Sequence, residues 1–255
     1  MKNSKEQLIK KASYYTPAKS VELDASGGAN DEQTIKFTGL DNELYGVNRF
    51  LAGGTGLNEV VATASFNNGR DDKFEEIHLN CLNQLFMNRS LRGALPIQRG
   101  DEMFLTLKNT GANPHIVNTE IIGFDDFQLQ QKRQKYESNG GQFPKPEFVY
   151  LKNTTIPAGT TKSKFSISLP SYKLRLYRMA FATDDPGQNL TVAIRQARKK
   201  IKPEVYISQL NNEFKNMDII LPQTLAASTP FDLFVSNADG ANSYQLSMLA
   251  ECYKI

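Results

Sequence analysis

The chain has 255 residues, 40% of them apolar and 22% charged, enough to bury a sizeable core as one large β domain or as two domains of about 100 residues. Thirty basic against 27 acidic residues leave a net charge of +3, which argues against a dedicated nucleic-acid-binding domain and predicts no sequence-specific nucleic-acid partner. Two distant cysteines, Cys81 and Cys252, make no disulfide framework, and nowhere do 18 apolar residues run together; both fit a soluble polypeptide folded in a reducing cytoplasm.

Residues 1–27 read as an N-terminal arm without an apolar core of signal-peptide length. Lys2, Lys5, Lys10 and Lys11 surround Leu8 and Ile9, with Tyr14 and Tyr15 beyond. This pattern suits an amphipathic helix lying on an anionic membrane or under neighbouring subunits, with many copies acting together because one arm has so little apolar surface. After Gly27-Gly28, segments 34–39, 44–51, 59–66, 102–108 and 116–124 are apolar and β-branched, and clusters such as Gly53-Gly54-Thr55-Gly56 and Asn67-Asn68-Gly69 separate them. Asp71, Asp72, Glu75 and Glu76 lack the alternating ligand spacing of a calcium loop and read as a solvated charged face. Leu82, Leu85 and Phe86 predict a short helix over 79–88.

Residues 128–152, with a basic polar helix over 128–136, Gly140-Gly141 and Pro144-Lys145-Pro146, read as a linker. Strand candidates resume at 164–169, 173–183, 190–196, 203–208, 231–236 and 244–253, with a second short helix over 207–216. The basic run Arg195, Arg198, Lys199, Lys200 and Lys202 reads as a solvated loop, an intersubunit contact or a contact to lipid headgroups.

The chain repeats once. Segments 35–38, 44–50 and 60–64 meet 165–168, 174–180 and 190–194 at an offset of 130. Leu82-Asn83 meets Leu210-Asn211, Leu95-Pro96 meets Leu221-Pro222, and the turn from Asn109 to Asn113 meets that from Asn237 to Asn242. Order is kept while the offset drifts only slightly, as small loop insertions would produce. About eight short strands in about 100 residues per copy predict two tandem eight-stranded β-sandwiches, an all-β fold: arm 1–27, sandwich 28–127, linker 128–152, sandwich 153–255. Phe37, Val47, Phe104, Leu107, Ile167, Leu176, Phe234 and Leu246 are the expected core, so that a charge at Phe104 or Phe234 should abolish soluble expression.

Catalytic patterns are missing from the sequence. His78 and His115 do not occupy equivalent positions in the two copies, and there is no Cys-x-x-Cys or paired histidine, so the sequence predicts no enzyme, metal or cofactor. The glycine cluster at 53–56 has no following Lys-Ser/Thr and reads as a strand connection rather than a phosphate cradle.

The duplicated sandwich, Leu82-Asn83-Gln84-Leu85-Phe86 with Leu210-Asn211-Asn212-Glu213-Phe214, and the paired Gly-Ala-Asn turns resemble the double jelly-roll major capsid proteins of tailless icosahedral bacteriophages with an internal membrane, a group related in fold to the adenovirus hexon. The resemblance is architectural, spans about residues 28 to 255, and rests on no diagnostic signature. It implies a structural protein of the virion capsid, forming homotrimers of pseudo-hexagonal outline that tile a shell. Minor and vertex capsid proteins, and the internal viral membrane beneath the arm, would be its further partners. The competing readings are a carbohydrate- or receptor-binding spike, which the absence of Trp disfavours, a vertex (penton) protein, and a cupin-like enzyme, for which two scattered histidines are too few.

Overall fold

A computed structural model of the chain describes residues 14–15, 18–38, 46–86, 90–97, 101–197, 199–210 and 223–255. It is all-β and contains two jelly rolls. In the first, β1 (Tyr14–Tyr15) and β2 (Lys19–Leu23) lie along one edge of β9 (His115–Phe124), followed by β4 (Gly46–Gly54) and β7 (Leu95–Pro96). The facing sheet runs β3 (Glu32–Thr38), β8 (Glu102–Asn109), β5 (Val60–Phe66), β6 (Asp71–His78). The second jelly roll repeats this order: β10 (Pro146–Ile156), β17 (Tyr244–Lys254), β12 (Leu174–Thr183), β15 (Gln223–Leu225) faces β11 (Ser163–Ile167), β16 (Phe231–Asn237), β13 (Leu190–Gln196), β14 (Lys199–Tyr206). Every pairing is antiparallel.

The sequence repeat is therefore a structural one, and the irregularities are duplicated with it. The ladder of β4 on β9 slips between Val47 and Arg49; that of β12 on β17 slips between Leu176 and Arg178, 129 residues later. Bulges kept at equivalent positions re-aim the same side chains in both copies. A helix follows the same edge strand in each copy: α1 (Leu79–Phe86) after β6 in the first, and helical residues 207–210 after β14 in the second, where the rest of the expected helix lies outside the described residues. The expected Leu221-Pro222 match lies outside them too.

Each jelly roll is also closed by the same asparagine. Asn109, at the end of β8, donates its amide to the carbonyls of Asp24 and Asn113 at 2.7 Å and accepts from the Gly111 amide at 2.9 Å. Asn237, at the end of β16, donates to Pro157 and Asn242 and accepts from the Asp239 amide at 3.0 Å. Both side chains are buried, and they tie the turns before β3 and β11 to the turns before β9 and β17. Only an amide supplies two donors and an acceptor there.

Several boundaries move. β2, expected in the arm, completes the first sheet, and β10, expected in the linker, is the first strand of the second jelly roll, so the second unit starts at Pro146. The linker proper holds α2 (Asp126–Ser138), capped by Asp125, whose carboxylate accepts from the Gln128 amide at 2.7 Å. It buries only Leu129, against Ala94 and Phe124, which is why its sequence is polar all round. The acidic segment at 71–76 belongs to the edge strand β6, with Asp72 and Glu76 exposed and Asp71 and Glu75 half-buried. Gly54 and Gly56 do connect strands: at positive φ, a Cβ on Gly54 would meet the Ile116 carbonyl at 2.0 Å, and one on Gly56 the His115 ring at 2.2 Å.

Phe37, Val47, Leu107, Leu176 and Leu246 are buried as expected, and Ile167 is partly so. Phe104 and Phe234 are not core residues. Strand alternation sends Met103, Leu105 and Leu107 inward and Phe104 outward, where Lys36 sits 5.3 Å from its ring; likewise Leu233 and Val235 point in and Phe234 out, under Arg195 at 5.0 Å.

Phe104→Asp is expected to leave a soluble, folded protein, whereas Leu105→Asp prevents folding; circular dichroism of the two purified variants checks this register. Asn109→Ala and Asn237→Ala should each cost about 1–3 kcal/mol in denaturant unfolding, the penalty of buried partners left unpaired.

Candidate assembly surfaces

The second jelly roll has one sheet buried on both faces. Along β12, Met179 and Phe181 fill its own core, while Ala180 and Ala182 join the core of the first jelly roll. Along β17, Met248 and Ala250 point inward and Leu249 outward into the same first-unit core. What covers this outer face is α1 and the edge strand β6. Cys81 of α1 donates to the Ala180 carbonyl at 3.2 Å, Phe74 of β6 stacks edge-on against Phe148 of β10 at 5.8 Å, and Lys152 pairs with Glu76 at 3.8 Å.

Polar groups lock the junction. Arg178 reaches out of β12 to pair with buried Glu251 and donates to the Leu85 carbonyl at 2.8 Å and the Ser90 carbonyl at 3.2 Å. Glu251 also accepts from the Tyr253 hydroxyl, which itself accepts from the Arg92 amide at 2.8 Å. Burial first, then the Glu251 charge, holds the Tyr253 hydroxyl protonated far above its usual range. His78, the last residue of β6, shares a 2.9 Å hydrogen bond between Nδ1 and the Ser247 hydroxyl, and its Nε2 has no partner among the described residues. Burial alone lowers its pKa to about 4. Burial likewise raises the thiols of Cys81 and Cys252, so both are inert small hydrophobes.

The same two surfaces recur in the other copy, where no second jelly roll covers them among the described residues. β13 carries β14 in the register by which β5 carries β6: Val61 opposite His78 and Ser65 opposite Asp72 correspond to Thr191 opposite Tyr206 and Arg195 opposite Lys200. Tyr206 thus stands where His78 stands, but it is 46% exposed and His78 is 0%. On the outer face of the first jelly roll, Arg49, Leu51, Asn118, Glu120 and Ile122 take the places of Arg178, Ala180, Ser247, Leu249 and Glu251. α2 crosses only the Phe124 end of this face, and Ile116 on it is 51% exposed.

The basic run lies on the β13–β14 hairpin rather than in a loop. Arg195 stacks on Phe234, Lys199 and Lys200 are exposed on β14 opposite Gln196 and Arg195, Lys202 is half-buried, and Arg198 lies outside the described residues. Lys2, Lys5, Lys10 and Lys11 also lie outside them; for Tyr14 and Tyr15 the structure gives the backbone pairing to Gly123 and Ile122. Sequence reasoning missed the Arg178–Glu251 and His78–Ser247 contacts, which join residues 73 and 169 positions apart. No described helix is long and apolar enough to cross a membrane, and no described cluster of His, Cys, Asp or Glu could hold a metal ion.

No protein-family model and no curated protein matches the chain. Among solved structures, a chain from the atomic structure of Sulfolobus turreted icosahedral virus is similar over 94% of this chain and 90% of its own, with 11% identity and a TM-score of 0.45. PNGase F, a glycosylasparaginase from Flavobacterium meningosepticum, is similar over 93% of this chain and 96% of its own, with 11% identity and a TM-score of 0.39. Similarity at this level decides nothing about activity.

Arg178→Ala should cost about 3–5 kcal/mol by leaving Glu251 buried and unpaired, with part of the loss recovered on adding Glu251→Leu; chemical denaturation measures both. His78 is held neutral in the fold and gains a proton on unfolding, so its contribution is present above pH 6.5 and is lost as pH falls toward about 4. The loss is on the order of 3 kcal/mol. A His78→Gln variant should show a correspondingly flatter fall in stability across that window.

Proposed function

We propose that this protein is a self-assembling shell subunit, a capsid protein of the double jelly-roll kind, in which each jelly roll covers the outer sheet of the next. The observation that carries this reading is the paired asymmetry just described. One edge strand, β6, is buried by the second jelly roll while its equivalent, β14, is exposed; one outer sheet is covered while its equivalent has no such cover among the described residues. A contact between two different surfaces, each with a counterpart left unmatched among the described residues, propagates head to tail, and it closes a ring if the rotation permits. Three chains would bring six jelly rolls into such a ring, a threefold object with near-sixfold outline suited to tiling a shell in a virion.

Chemistry of the surfaces favours assembly over catalysis. The His78–Ser247 pair has the atoms of a hydrolytic dyad, but both residues are fully buried between jelly rolls, out of reach of any substrate. The centre of the first jelly roll's outer face carries Glu120 where the covered face of the second carries Leu249, while Ile122 stands where the second has Glu251. A polar centre suits a reversible contact between subunits better than the apolar one of a junction made once within a chain. Tyr14 and Tyr15 enter the fold beside Gly123 and Ile122, near the start of α2 with its Lys132, Arg133 and Lys135; an anionic membrane surface or neighbouring subunits are the proposed partners of the arm.

Light scattering of the purified chain is expected to give the mass of a trimer, and Tyr206→Glu the mass of a folded monomer. A wild-type monomer at all concentrations would overturn the reading, and a pentamer would indicate a vertex protein instead.

A further inference from the structure

The two edge hairpins that occupy equivalent positions carry opposite charge. In the first jelly roll the β5–β6 hairpin presents Asp71 and Asp72, followed by Glu75 and Glu76. In the second, the register places Lys199 and Lys200 at the positions of Asp71 and Asp72. The surfaces that receive them are inverted as well. The acidic hairpin lies against β10 and β17, where Lys152 pairs with Glu76 and where Asp72 and Glu75 crowd Tyr150, whose register partner is Leu249. The equivalent of Leu249 on the outer face of the first jelly roll is Glu120, half-buried, with exposed Glu22 on the neighbouring strand β2, opposite Ile116 of the same face, and Arg49 on β4 opposite Ile122.

We infer that charge fixes the order of jelly rolls between copies: the basic β13–β14 hairpin of one chain docks through Lys199 and Lys200 on the Glu120–Glu22 face of the first jelly roll of another copy. The inference rests on the head-to-tail assembly proposed above and names its contact. Each wrong pairing is penalised. A basic hairpin on the outer face of a second jelly roll would bring Lys199 and Lys200 onto the face that carries Lys152, desolvating charges near a like charge. An acidic hairpin on the outer face of a first jelly roll would bring Asp71 and Asp72 onto the face that carries Glu120 and Glu22. Specificity of this kind needs repulsion against the alternative as well as attraction to the partner. It also sets units alternating, first against second, so that every ring contains whole chains.

Charge-reversal variants test it, with association followed by sedimentation at roughly 50 and 500 mM salt. Wild-type association should weaken with salt. Lys200→Glu and Glu120→Lys should each weaken it by about tenfold or more at low salt. The double variant should return to within about threefold of wild type, since the swapped charges again oppose. Circular dichroism confirms that each variant folds, as both positions are solvent-accessible in the single chain. Wild-type association that is indifferent to both single reversals, or a double variant no better than the singles, would overturn the charge assignment while leaving head-to-tail assembly standing. Failure of the wild type to associate at all would overturn both.

Discussion

The β10–β17–β12–β15 sheet can carry Ala180, Ala182 and Leu249 on its outer face only because the first jelly roll covers it. An exposed apolar sheet face, next to the open edge of β6, would invite aggregation; packing one against the other removes both hazards in a single contact. Small residues matter there. Ala180 and Ala182 let α1 approach closely enough for Cys81 to reach a strand carbonyl, and the bulge before Arg178 turns its guanidinium onto Glu251, the Leu85 carbonyl of α1 and the Ser90 carbonyl beyond it. A buried ion pair of this kind adds little net stability over an apolar pair, but it is costly to misalign, so it holds the two units in one relative orientation.

Duplication gives each copy the two surfaces of such a contact, which meet once within the chain and stay unmatched in the other pairing among the described residues. Both copies keep the strand order, the bulges and the asparagine clamps, which are requirements of the jelly roll itself. They diverge where one copy faces the other. His78 has become buried against Ser247, while Tyr206 keeps an exposed polar aromatic; Leu249 fills a dry junction where Glu120 faces solvent. An aromatic ring with a polar tip suits an interface that is wet before assembly and dry after it.

Much of this fold was legible in the sequence because alternation and turn chemistry repeat at a nearly constant offset. The illegible parts have physical reasons. β6 reads as DDKFEEIH, and its bulges break the period-two pattern, so buried Phe74 and Ile77 fall out of phase with its charges. β10 begins at a proline and packs on both faces, which hides its alternation. Phe104 and Phe234 look like core residues by composition, but register decides the face, and cations cover their rings outside. The assembly surfaces were the least legible. The basic hairpin could be picked out by charge alone, whereas Arg178, Glu251, His78 and Ser247 become neighbours only through tertiary packing between units.

The central claim is that Tyr206 of one chain meets Asn118 of another as His78 meets Ser247 within the chain. Cysteines placed at both positions, with the native cysteines buried and unreactive, test this most directly by oxidation followed by non-reducing electrophoresis. The account predicts disulfide-linked dimers and a closed covalent trimer from the double variant and no ladder from either single variant. Absence of any interchain disulfide in the double variant, under conditions where the protein remains associated, would contradict it.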